Sequence, residues 1–234
     1  MSHTQWSRIV TVLTSPTTTF RSIAERPTWH LAFLVPVVLS LLSALIVFPK
    51  LDWEQTAHAK YTRLGREVPE ERIARVVEIF SGPEMTSVMV VLTAVVPGLA
   101  CALAAWILAR LFRRMGAELS FETSLGVFAH GVLPLSVATV LALPFIVGLD
   151  RIVGYQESGW SNLGFLASPS TSLELFTVLS HLDLFAVWSI VLLVIGYSVA
   201  AGVSKARAAF CVVGLWIVWI VFQISLIGLD RIDS

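Results

Sequence analysis

Charged side chains are scarce in this sequence. Asp, Glu, Lys and Arg make up 14% of its 234 residues, against about 25% in a soluble globular domain. A chain so poor in charge cannot cover itself with polar surface, so it loses apolar area to lipid or to a very large partner. The formal net charge is zero. The chain therefore offers no global electrostatic case for nucleic-acid binding. Only two cysteines occur, Cys101 and Cys211, and both sit inside apolar runs. They form neither a disulfide framework nor a metal-ligand spacing and read as soft packing residues. Catalytic signatures are missing as well. There is no GxxxxGK(S/T), no GxGxxG after a strand, no HExxH and no GxSxG, and no carboxylate pair is placed for acid–base work. No catalytic residue, metal site or cofactor is assigned.

What is present is apolar. Hydrophobic residues make up 56% of the chain, and the mean hydropathy is +0.81. Five long runs are almost free of charge, at about 31–48, 85–109, 123–149, 184–204 and 208–229. Each reaches or approaches the roughly 20 residues that a helix needs to cross about 30 Å of hydrocarbon. They do not alternate in and out as membrane β-strands do. The expectation is an all-α polytopic membrane protein: one domain over 1–234, built as a five-helix transmembrane bundle. The first run starts some 30 residues in, with no clean small-residue cleavage site after it, so it is expected to stay in the mature protein.

Two amphipathic elements flank the first run. In "QWSRIVTVLTSPTTTFRSIAERPTW", Ser15 is a candidate cap and Pro16 suits the first helical position. Phe20 and Ile23 fall on one face, and Pro27 ends the segment. Trp6, Trp29 and His30 suit the headgroup level. This predicts a short helix in the membrane interface, with a tail docked on the bundle as the plainer alternative. Further on, Pro69 opens a turn, Glu70 and Glu71 favour the positive helix end, and Gly82–Pro83 stops the helix. Ile73, Val76, Val77 and Phe80 form its i, i+3, i+4, i+7 stripe. The stripe must be buried on bilayer, bundle or partner. Phe20, Ile23, Ile73, Val76, Val77 and Phe80 are therefore the candidate membrane or partner contacts.

Small residues recur at Gly98, Ala102, Ala105 and Ala109, and again at Gly196, Ala200 and Gly202. In lipid they let helix backbones approach closely. Pro134 and Pro144 interrupt the third run. Residues 150–170 read as a surface loop with Tyr155, Trp160 and Phe165 at the interface. "SKAR" joins the last two runs into a hairpin. Orientation is weakly encoded, because Lys and Arg number eight on each side. The cluster Arg110, Arg113, Arg114 and the Lys205/Arg207 turn lean toward an inside N-terminus.

Polar groups in the runs are few: Asp183, His130, His181 and Gln223. Asp183 closes an (S/T)xx(D/E) box from Ser180, and Thr171 with Glu174 makes an equally good one. One helix over 171–204 would be roughly 50 Å long, more than the hydrocarbon thickness. Either its first turns protrude or the chain breaks near Ser180. Both place Asp183 close to an interface. His181 lies about 200° round from Asp183, so the two cannot share a face. His130 is a lone histidine with no ligand partners nearby, and Gln223 suits a bond to a neighbouring helix. Capping and packing compete in these residues with an intramembrane functional role.

The order of motifs resembles the Yip-domain family, the Ypt/Rab-interacting type of membrane protein. "SPTTTFRSIAERPTW" carries Pro16, Phe20, Ile23, Pro27 and Trp29, and "FAHGVLPLSV" carries Pro134. "LDLFAVWSIVLLVIGYS" carries Asp183, Phe185, Trp188 and Gly196. "SKARAAF" and a last run bearing Trp216 and Trp219 complete the order. The resemblance implies five spans, a cytoplasmic N-terminus and no catalytic residues. The signature looks like that of bacterial members, which implies the bacterial cytoplasmic (inner) membrane, and the family's Rab link in eukaryotes is not carried over. The leading expectation is a non-enzymatic membrane-organising or partner-binding protein. Its partners would be the lipid bilayer and other membrane proteins, a second copy of the chain among them. The rivals are a small-solute, ion or lipid permease and a fixed accessory subunit of a larger membrane complex.

Overall fold

The computed structural model describes residues 5–63, 69–153, 161–167 and 172–232. The described elements are helices: α1 (Gln5–Thr14), α2 (Pro16–Glu25), α3 (His30–Val47), α4 (Trp53–Arg63), α5 (Glu70–Ser81), α6 (Pro83–Arg114), α7 (Phe121–Gly131), α8 (Leu133–Val147), α9 (Leu173–His181), α10 (Leu184–Ala200) and α11 (Lys205–Ile232). Single 3₁₀ turns lie at Phe48–Lys50 and Leu163–Leu166. Four segments are long and apolar enough to cross a membrane: His30–Lys50, Pro83–Arg114, Phe121–Val147 and Lys205–Leu226. The expected fourth span is a shorter apolar helix, Leu184–Ala200, of 17 residues. It is about 25 Å long at 1.5 Å per residue. The protein is thus a polytopic helical membrane protein.

Local chemistry explains where helices stop. The third long segment breaks between α7 and α8 at Val132, whose φ is −90° and ψ 0°. Pro134 follows, and its ring would clash with the carbonyl of His130, four residues back, while its missing N–H removes a ladder bond. Ser120 caps α7, its Oγ accepting from the Thr123 N–H at 3.0 Å. Gly202, at φ +64°, turns the chain between α10 and α11 as the "SKAR" hairpin requires. Pro16 sits in the first turn of α2 as expected, but Ser15 makes no side-chain cap. The segment before it is itself a helix, and the Ser15 carbonyl instead accepts from Thr19 Oγ1 at 3.0 Å.

The chain divides into two compact units. The first comprises Met1–Leu39, Ala94–Val140 and Phe185–Val218. Its core gathers Val12, Phe20 and Ile23 of α1 and α2 with Leu108 and Phe112 of α6, Val127 of α7, and Leu192 and Tyr197 of α10. The Phe112 and Tyr197 rings stack at 5.1 Å. Ser124 Oγ donates to Ala105 O at 2.6 Å and lies 2.8 Å from the Tyr197 hydroxyl. Small residues permit this packing. A Cβ on Gly98 would lie 3.0 Å from the Phe33 ring, and one on Gly196 would lie 2.7 Å from Val127 and 2.9 Å from Phe20. Phe20 and Ile23 are therefore core residues, not the lipid or partner contacts that the amphipathic pattern suggested. The docked alternative describes α2.

The second unit comprises Ser40–Thr93, Leu141–Leu184 and Trp219–Ser234. There α4 packs against α5. Ile73 is 3% exposed, and Val76, Val77 and Phe80 are half-buried. The Trp53 and Phe80 rings lie 5.3 Å apart. Of the three covers open to the stripe, α4 supplies part: Ile73 is buried and the other three residues are half-buried. Phe165 is 77% exposed, while Tyr155, Trp160 and Thr171 lie outside the described residues.

Gly196→Ala should lower the thermal midpoint of the detergent-solubilised protein, because overpacking costs about 1–3 kcal/mol. Gly214→Ala, where an added Cβ meets nothing within 4 Å, should leave it unchanged or raise it.

Candidate functional site

A helix leaves its last four carbonyls without intrahelical partners, and they carry the negative end of the helix dipole. Where water is scarce, side chains must meet them. Two cations of this chain, Arg8 and Lys50, meet such ends. Arg8 of α1 is 6% exposed. Its Nη1 donates to Arg26 O at 3.0 Å and to Thr28 Oγ1 at 2.5 Å, and its Nη2 donates to Ser22 O at 3.0 Å. The guanidinium fork thereby closes the C-terminal end of α2 and fixes the turn into α3. Its Nε is buried without a partner, and no carboxylate pairs with Arg8 among the described residues. Burial, and then the charge of Arg26, pull its pKa below the ordinary value. An arginine nonetheless stays charged. The charge is compensated by oxygens of the backbone and of Thr28.

The histidines bond carbonyls of their own helices, four residues back. His130 is buried near the end of α7, with Nδ1 2.8 Å from Gly126 O. His181 is the last residue of α9, with Nδ1 2.8 Å from Thr177 O. A carbonyl only accepts, so in each ring Nδ1 holds the proton. Lys50 closes α8: its Nζ donates to Val147 O at 2.7 Å and Leu149 O at 2.9 Å. Arg113 Nε donates to Ala109 O at 3.2 Å near the end of α6.

Asp183 lies in the break between α9 and α10. Ser161 Oγ donates to its carboxylate. The Leu163 N–H bonds Leu182 O at 3.3 Å and the Leu184 N–H bonds Ser161 O at 3.1 Å, forming an antiparallel bridge of Asn162 with Asp183. Residues 161–167 therefore pin the break. The chain interrupts near Ser180, one of the two expected geometries, but Ser180 caps nothing and its Oγ is buried without a partner. Ser172, not Thr171, caps α9, accepting from the Leu175 N–H at 3.2 Å. His181 and Asp183 hold different partners, as their spacing required. Gln223 is half-buried on α11. Among the described residues no group of three His, Cys, Asp or Glu side chains could hold a metal ion.

Sequence reasoning passed over Arg8 and Lys50. The available signal for Arg8 was a charge one turn from Val12 on the inward face of an amphipathic helix; both are buried in α1. The model of the Yip1 domain family matches residues 10–227. No curated protein and no solved structure matches the chain.

Arg8→Met should remove the guanidinium donor from the Arg26 carbonyl, leave the Ser22 carbonyl with the Arg26 N–H alone, and loosen the end of α2 by about 2–4 kcal/mol. Limited trypsinolysis should then cleave after Arg21 roughly tenfold faster or more, since cleavage follows the open population. Arg113→Met should not alter that rate.

Proposed function

This chain belongs to the Yip1 domain family, and on that premise we propose that it is a non-enzymatic membrane protein that organises the surrounding bilayer and holds partner membrane proteins. The observation that carries this reading is the outward face of α1. Trp6 is 69% exposed and Val10, one turn on, is 63% exposed, while Arg8 and Val12 on the opposite face are buried. An aromatic and a branched side chain on a firmly held helix outside the spans suit the headgroup boundary. Arg8 makes that helix rigid, so insertion of its outer face displaces lipid in one leaflet. The α4–α5 pair supplies a second surface, where Arg72, Arg75, Glu78 and Ile79 of α5 face outward. Other membrane proteins or a second copy of the chain are the partners for it. The reading places the protein in a bacterial cytoplasmic membrane with a cytoplasmic N-terminus. A permease path would draw on His130 and Asp183, and each is committed to a local bond, which favours the organising role.

The test is reconstitution into liposomes. Wild-type protein should shift the vesicle diameter distribution away from that of protein-free vesicles. Trp6→Glu with Val10→Glu, which removes about 3 kcal/mol of apolar burial, should return it toward the protein-free distribution without lowering the thermal midpoint. A wild-type protein that leaves vesicle size unchanged, or a double variant as active as wild type, would contradict the reading.

A further inference from the structure

The C-terminal end of α6 carries a second outward surface of different chemistry. The exposed apolar row Val95, Leu99, Leu103 and Trp106 runs along one side of the helix. Beyond Trp106 the row continues, at the same four-residue spacing, as Arg110 and Arg114, both exposed. Trp106, Ile107, Arg110, Leu111 and Arg114 line a shallow groove of about 330 Å³. The Arg110 guanidinium lies 5.3 Å from the centre of the Trp106 ring, a cation–π contact that holds it toward the apolar end of the groove. Arg113, between them in sequence, points elsewhere and bonds Ala109 O. No carboxylate lies within ion-pair distance of Arg110 or Arg114 among the described residues. The groove thus has two free guanidinium forks at one end and indole, isoleucine and leucine at the other.

We infer that this groove binds an anionic phospholipid of the surrounding leaflet, its phosphate between Arg110 and Arg114 and the upper part of its chains against Trp106, Ile107 and Leu111. The inference rests on charge complementarity and on position. A guanidinium fork matches phosphate oxygens in two-point geometry, and a basic pocket at the end of a span meets lipid headgroups by location. A zwitterionic headgroup would bring its own cation toward two others, so the site discriminates by net headgroup charge. The proposal depends on α6 spanning the membrane and not on the insertion of α1, so it stands or falls separately from the vesicle-shape result.

Native mass spectrometry of the full chain, released from mixed phosphatidylglycerol and phosphatidylcholine micelles, tests it. Wild type should retain phosphatidylglycerol preferentially. Arg110→Gln with Arg114→Gln should lower the retention ratio on the order of tenfold, and Trp106→Leu should lower it without changing the charge. Arg113→Gln should keep the wild-type ratio. The proposal is overturned if wild type shows no preference or if the double variant keeps it. An equal loss in Arg113→Gln would also overturn it, because the effect would then be net charge alone. So would an acidic protein that co-purifies with wild type and is lost from the double variant while the lipid ratio stays fixed, because the groove would then be a protein-docking site.

Discussion

The fold depends on how unpaired carbonyls at helix ends are satisfied in a chain that has little charge to offer. Each helix end presents several acceptors, and lipid donates nothing to them. Here two cations, Arg8 and Lys50, stand at such positions. Arg8 closes α2 and Lys50 closes α8. His130, His181 and Arg113 instead bond carbonyls one turn back within α7, α9 and α6. The macrodipole favours positive or proton-donating groups at this end. The histidines that a proton path would draw on each hold a bond within their own helix. The Asp183 carboxylate is the acceptor counterpart, placed where the chain restarts and held by Ser161.

With their ends satisfied, the helices of the first unit can pack closely. Tyr197 is fully buried and directs its hydroxyl to Ser124, which in turn bonds the Ala105 carbonyl. Gly98, Gly196 and Ala105 supply the space. Because apolar side chains are as content in lipid as in the core, fit and hydrogen bonding decide which helices meet. Large apolar residues therefore occur both on the exposed faces and in the core, and Gly, Ala and Ser mark the places of closest approach. A rigid assembly of this kind gives its surface elements fixed positions, which a membrane-organising role requires of α1.

Much of this was legible in the residues. The long runs, the interruption at Pro134, the α5 stripe and the "SKAR" hairpin follow from local rules of length, proline geometry and periodicity, whereas Gly202 reads as a packing residue of the fourth run and is instead in the turn after α10. Periodicity tells that a face is buried, not against what. Phe20 and Ile23 therefore read as interfacial although they lie in a core shared with α6, α7 and α10, and the cover of the Ile73 stripe stays open among bilayer, bundle and partner. The N-cap of α9 fell on Ser172, next to a threonine with equal propensity. The roles of Arg8 and Lys50 could not be read locally. Their acceptors lie 14 to 20 and 97 to 99 residues away in sequence, a separation at which a lone cation carries no periodic signal. The same holds for Ser161 and Asp183, 22 residues apart.

Solid-state NMR of arginine-labelled protein in bilayers containing anionic lipid tests the helix-end account most directly. The Arg8 guanidinium nitrogens should show dipolar coupling to the carbonyl carbons of Ser22 and Arg26, matching the N···O separations of 3.0 Å, and none to lipid phosphorus. Strong coupling of Arg8 to phosphorus, with no carbonyl contact, would mean that this cation serves the membrane surface and that the end of α2 is held by something else.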